Sequence, residues 1–288
     1  MPNTATRIRP ALLLFFAAVS LTTCKLIDPA EDVPAYIHID HIDLVNVNTA
    51  TQGTSQQQIT EAWVYVDNEL IGAFELPATL PVLFEGEHII RVAAGVKQNG
   101  LSSTRAIYPF MKFYNETVNL QRGNTVTLQP QVEYFPGTSF PWLEGFEDPG
   151  LSLIDIPSAP FQNILEKDSY AFEGSFSGFV RLTSDTFDCE VKSAGNFVLP
   201  TDGTPVWLEL HYQCNNPFVV GVVTNTNEFR PWIEVDTSAA WNKIYIDLTT
   251  VCSRQPIAST IQVYIAMQKT ADIAEARIYL DNIKLLHQ

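Results

Sequence analysis

Apolar and polar residues alternate with a period of two along most of this chain. Tyr36-Ile37-His38-Ile39-Asp40, Ala62-Trp63-Val64-Tyr65-Val66 and Thr125-Val126-Thr127-Leu128 each lay one apolar and one polar face on an extended strand. Turn-forming residues punctuate them at Asp67-Asn68, Glu85-Gly86, Gln98-Asn99-Gly100 and Arg122-Gly123-Asn124. Further on, the same rhythm predicts strands over 178–182, 206–212, 218–223, 243–248, 261–267 and 276–286. The helical period is missing after residue 24, so no helix is expected there.

Short strands at this spacing point to an all-β fold of two antiparallel β-sandwiches in series. The first is expected over 35–136 and the second over 144–288, with 137–143 as the linker. Pro136, Gly137 and Pro141 mark that linker, since prolines interrupt a hydrogen-bonded ladder. Length agrees, because 288 residues at roughly 100–200 per domain make two domains.

One segment departs from the pattern. Residues 11–19 form a continuous apolar run behind Arg7 and Arg9, too short to span a bilayer as a mature helix. A basic start and a short apolar core predict a secretion signal over 1–23. The run ends in Leu21-Thr22-Thr23-Cys24, which resembles a bacterial lipobox, with Thr23 replacing the usual Gly, Ala or Ser before the cysteine. The resemblance implies that Cys24 becomes the lipid-bearing N-terminal residue and anchors the protein to a membrane. The expected location is the cell envelope, at the outer membrane, on a face left undecided. Residues 24–34, acidic and broken by proline, are expected as a lipidated tether.

Composition narrows the function. An apolar share of 46% is enough for real cores and excludes general disorder. Seventeen Lys and Arg against thirty-two Asp and Glu give a net charge of −15, so nucleic acid is not an expected partner. No metalloprotease, nucleophile-elbow, phosphate-loop or dinucleotide motif occurs, and no enzyme activity is expected. His38 and His41 stand three apart, which on a strand sends them to opposite faces rather than to one metal.

Two resemblances give the sandwiches a context. The hairpin from Trp63 to Gly72, with Asp67-Asn68 at its tip, resembles small immunoglobulin-like or PEGA-like domains of bacterial envelope proteins. The second half opens on Gly145-Phe146-Glu147-Asp148 and continues through Gly174-Ser175-Phe176-Ser177-Gly178-Phe179. It then carries Trp241-Asn242-Lys243-Ile244-Tyr245 and closes on Asp281-Asn282-Ile283. That order resembles the jelly-roll, galactose-binding-like carbohydrate-binding modules. The chain as a whole is similar to surface lipoproteins of the Bacteroidetes type. The jelly-roll resemblance implies a second sandwich that binds polysaccharide. In such modules the first and last strands lie side by side and often hold a structural Ca²⁺. Glu147 and Asp281 are the ligands this implies, with Glu173 or Asp148 completing the set. The alternative is a pair of solvated acids at the sheet margins.

Loop 224–232 offers the candidate glycan site. Phe229 and Trp232 could stack on sugar faces while Asn225, Asn227 and Arg230 hydrogen-bond hydroxyls. The alternative is an Asx-turn loop whose rings cover a sandwich edge. Trp63 and Trp207 read as core residues. Cys214 and Cys252 each fall just past a strand end and are the expected disulfide, leaving Cys189 over; three buried small hydrophobes is the other reading. The leading functional expectation is a non-catalytic lipoprotein that binds a neutral glycan through its second sandwich, the first serving as spacer. The rivals are a structural component that docks envelope proteins and, third, a hydrolase.

Overall fold

A computed structural model describes residues 31–156, 159–161 and 164–288, and these are nearly all β. The expected signal peptide, Cys24 and most of the tether lie outside the described residues.

In the first sandwich, strands Glu69–Glu75, Glu61–Val66, Gly86–Lys97 and Arg105–Ile107 form one sheet in that order, with Tyr114–Leu120 also on Gly86–Lys97. Ala78–Val82, Ala35–Ile39 and Thr125–Leu128 form a smaller sheet, and Ile37, Ile39 and Leu80 share a core with Val64, Val92 and Val118 of the larger one. The hairpin at Asp67-Asn68 is present, and both residues adopt positive φ, 48° and 70°. A two-residue hairpin loop needs that backbone to match strand twist, and Asn and Asp tolerate it. The sandwich is not wholly antiparallel. Ala35–Ile39 runs parallel to Thr125–Leu128, and Asp43–Leu44 to Gln131–Val132, because strands from opposite ends of the domain are free of the hairpin constraint.

The second sandwich stacks two sheets of six strands. The front sheet runs Glu166–Asp168, Ser177–Leu182, Ala276–His287, Val206–Cys214, Ser238–Asp247, with Ser139–Glu144 added on Ala276–His287. The back sheet runs Leu153–Asp155, Asp188–Ser193, Thr260–Gln268, Phe218–Thr224, Phe229–Val235, with Phe197–Val198 on Thr260–Gln268. Every pairing in both sheets is antiparallel. Val180, Leu210, Ile246 and Leu280 meet Val191, Val220, Val222 and Val263 between the sheets. Two short helices, Thr49–Gln52 and Thr249–Ser253, occur where none was expected. Ser139–Glu144, expected as linker, is an edge strand. Pro141 sits in its register irregularity between Ser139 and Trp142, where no ladder hydrogen bond is lost.

The two sandwiches are joined by more than the chain. Trp207, Tyr245 and Leu286 project from the front sheet into the core of the first sandwich, where the Tyr108 ring meets Trp207 edge-on at 5.4 Å and Tyr245 at 5.1 Å. Glu209 is buried there and pairs with Lys243 at 2.6 Å. Tyr108 of the first sandwich donates its hydroxyl to the same carboxylate. Lys243 donates to Gln56 O at 2.8 Å, and buried Lys284 donates to Thr54 O and, at 3.3 Å, to the Tyr134 hydroxyl. Burial alone would raise the Glu209 pKa, but Lys243 and Lys284 outweigh it and hold the carboxyl down at about 2. The spacer expected from the sequence is therefore fused to the sheet it was meant to hold.

Candidate functional site

Alternation along the front sheet sends every second side chain outward. While Val180, Ile278, Leu210 and Ile244 enter the core, Phe179, Tyr279, His211, Gln213 and Trp241 face out. Strand pairing sets them side by side: Phe179 lies opposite Tyr279, and Tyr279 opposite Gln213. The Phe179 and Tyr279 rings stack with centroids 4.6 Å apart, and Trp241 stands 6.3 Å from Tyr279. An aromatic row thus crosses the sheet at the end remote from the first sandwich.

The loop between Asp168 and Ser177 supplies two more rings. Tyr170 stacks on Trp241 at 5.9 Å and meets Tyr279 edge-on at 5.0 Å. Phe172 stacks on His211 at 3.9 Å. Tyr170 keeps 48% of its surface exposed, so the ring is offered to solvent rather than used as core.

Beside these rings opens a cavity of about 350 Å³, lined by Tyr170, Tyr279, Gln213, Asn215, Ser238 and Arg277. Three buried polar atoms on this face lack a protein partner: Trp241 Nε1, Gln213 Oε1 and His211 Nδ1. Burial, with the Lys243 charge adding to it, pushes the His211 pKa down to about 3, so its ring is neutral at ordinary pH. Ring faces next to an amide, a hydroxyl and a guanidinium suit a ligand that is apolar on its C–H faces and rich in hydroxyls at its rim.

Loop 224–232 is built differently. Asn225, Thr226 and Asn227 form the tight turn of a hairpin, with Asn227 at φ 58° and Thr224 N donating to Glu228 O at 3.0 Å. Phe229 lies on the outer side of the back sheet, edge-on to Tyr264 at 5.7 Å. Trp232 turns the other way, packs against the core and donates Nε1 to Asp247 O at 2.7 Å. Arg230 is engaged by Glu228 at 2.9 Å. The two rings face opposite sides of one strand and make no joint platform for sugar, which corrects the site assigned to Asn225, Asn227, Phe229, Arg230 and Trp232.

Glu147 and Asp281, the calcium ligands expected, both accept backbone amides of the loop that follows Asp168. Glu147 Oε1 accepts Ser175 N at 2.8 Å and Phe176 N at 2.9 Å. Asp281 Oδ2 accepts Phe172 N at 2.9 Å and Glu173 N at 3.1 Å. A cation at either oxygen would face amide hydrogens. Among the described residues, no three His, Cys, Asp or Glu side chains gather to hold a metal.

The expected Cys214–Cys252 disulfide does not form: both thiols are free and buried. Cys214 ends the Val206–Cys214 strand, whereas Cys252 belongs to the helix docked at that strand's start through Leu248 N to Val206 O. Eight residue steps at about 3.3 Å separate those ends by about 26 Å, and a disulfide needs Cα atoms within about 7 Å. Burial pushes the Cys252 and Cys189 thiols up to about 12.

No protein-family model matches the chain, and no curated protein does. Among solved structures, it is similar to a carbohydrate-binding module from the β-sandwich superfamily, at 14% identity over 78% of this chain and 84% of that one, with a TM-score of 0.35. It is similar to the family 11 carbohydrate-binding module of the cellulosomal cellulase Lic26A-Cel5E of Clostridium thermocellum, at 9% identity over 53% of this chain and 95% of that one, TM-score 0.37. The K3 adhesin domain of Lys-gingipain from Porphyromonas gingivalis matches at 11% identity over 52% of this chain and 99% of that one, TM-score 0.36. All three are likenesses of outline at low identity and low score.

Proposed function

We propose that this protein is a lipid-anchored, non-catalytic lipoprotein of the cell envelope that binds a neutral glycan on the front sheet of its second sandwich. The observation that carries this reading is the pair Tyr170 and Tyr279, backed by Trp241 beneath Tyr170, at a cavity edged by Gln213, Asn215, Ser238 and Arg277. Sugar rings stack on such aromatic faces, and the Asn215 amide, the Ser238 hydroxyl and the Arg277 guanidinium offer hydrogen bonds to hydroxyls. Neutral sugars fit better than polyanions, because the second sandwich carries nineteen acids against nine bases. Affinity is expected to be modest, since an open face buries little of a sugar and association must offset lost freedom of motion.

The test is retention in a gel that contains neutral polysaccharide. Tyr170→Ala and Trp241→Ala should each lose the retention of the wild type while their melting temperatures barely move. Retention of Trp241→Ala at the wild-type level would place the site elsewhere, and no retention of the wild type across a broad glycan panel would end the reading. The anchor rests on the Leu21-Thr22-Thr23-Cys24 sequence. Cys24→Ala should move the protein from the membrane fraction to the soluble one. A variant that stays with the membrane, with no labelled fatty acid on the wild type, would refute it.

A further inference from the structure

In the loop that carries Tyr170 and Phe172, these rings lean on the sheet by one face while Tyr170, Phe172 and Phe176 all stay exposed. The loop's backbone is gripped as well. Two carboxylates from outside the loop take four of its amides, Asp281 at Phe172 and Glu173, Glu147 at Ser175 and Phe176. Between the two grips lies Gly174, at φ 74°, where a side-chain carbon would sit 2.5 Å from Glu147 Oε1. Asn282, itself at φ 49°, reaches back to Glu173 Oε2 at 3.1 Å, and Ser177 donates its hydroxyl to Tyr170 O at 2.9 Å.

Hydrogen bonds from amides to an ionised carboxylate are about twice as strong as neutral ones. Committing two carboxylates, one of them the fully buried Asp281, to one surface loop is more than a loop needs merely to connect adjacent strands. The outcome of the clamp is a fixed ring: Tyr170 lies on Trp241 and against Tyr279, forming one wall of the cavity. We infer that Glu147 and Asp281 are positioning residues, which preorganise the Tyr170 wall so that ligand binding does not have to order it. This inference rests on the glycan reading of the same site.

The experiment compares the full-length protein with Glu147→Ala, Glu147→Gln and Gly174→Ala. Three readouts are taken: retention by neutral polysaccharide, hydrogen exchange at Ser175 and Phe176, and the Trp241 emission obtained by difference from Trp241→Phe. Glu147→Ala and Gly174→Ala should speed exchange at both amides, shift the Trp241 emission and weaken retention about tenfold, the cost of ordering one aromatic side chain on binding. Glu147→Gln keeps a carbonyl acceptor and should recover most of the loss. Faster exchange with unchanged retention and unchanged emission would show that the carboxylates hold backbone but not the ring, and would overturn the inference. If the wild type is retained by nothing, the glycan reading falls separately. Exchange and emission still decide the clamp, and unchanged emission in Glu147→Ala refutes it.

Discussion

The outer face of the front sheet has two halves made by the same strands. On one half Trp207, Glu209, Tyr245, Lys243, Lys284 and Leu286 are sealed beneath the first sandwich. On the other, Tyr170, Tyr279 and Gln213 border an open cavity, with Trp241 packed against Tyr170. Both halves mix aromatic rings with polar groups. In the sealed half the polar groups are ionised and the protein itself answers them, as with Glu209, Lys243 and the Tyr108 hydroxyl. In the open half they are neutral amides and hydroxyls beside the Arg277 guanidinium, and some of them have no answer from the protein. An aromatic-rich sheet face is therefore not in itself a binding site. What separates an interface from a site is whether the polar atoms between the rings are already satisfied.

Substitutions can break that contrast. The largest effect is expected from Glu209→Ala, which strands Lys243 and Lys284 without a counter-charge under the first sandwich. Removing one partner of a buried pair costs about 3–5 kcal/mol, so denaturant unfolding should show a loss in that range, and a loss below about 1 kcal/mol would mean the interface is effectively wet. Next comes a matched pair of tryptophans. Trp207→Ala should cost about 3 kcal/mol as a buried aromatic truncation, while Trp241→Ala should stay within about 1 kcal/mol yet lose glycan retention. Equal stability losses would erase the distinction between the halves.

Two titrations sharpen it further. Glu209 is held at about 2 in the fold, below its ordinary 4.5. Its contribution is complete above pH 4.5 and is lost as pH falls from there toward 2, so the first sandwich should detach in that window in a pH series of unfolding curves. Asp281 runs the other way and less strongly. Burial raises it to about 6 from 3.8, so this group makes the fold less stable above pH 6 and more stable as pH falls from 6 toward 3.8. Asp281→Asn should flatten that slope, and a slope that survives the substitution belongs to another group.

Much of the fold is legible in local pattern. The alternation at Tyr36 and Ala62 and the Asp67-Asn68 tip each appear as expected, because a half-buried strand and a tight hairpin write their requirements into neighbouring residues. Ser139–Glu144 is hidden in the sequence because Pro136 and Pro141 signal a break, and only the edge position of the strand makes them tolerable. Trp207 has the surroundings of a core residue, and it is one, but of the other sandwich. The site is harder still to read. Tyr170, Trp241 and Tyr279 lie far apart in the chain and meet only through strand order, whereas the Asn-rich turn at 225–228 stands out by composition alone. The one local signal is parity: Arg277, Tyr279 and Asp281 alternate with Ala276, Ile278 and Leu280, which sets an aromatic ring between charged residues on the outward face.

The strand Ala276–His287 carries Tyr279 at one end and Leu286 at the other, and it is bonded along its length to Ser177–Leu182, Val206–Cys214 and Ser139–Glu144. Seven residues at roughly 3.3 Å each make a continuous extended backbone of about 23 Å between them. A pull on a ligand held at the Tyr279 ring would run lengthwise down this strand to Leu286, whose side chain packs in the core of the first sandwich. The flanking hydrogen bonds then meet it in shear, all together, rather than one at a time as in a strand peeled from its end.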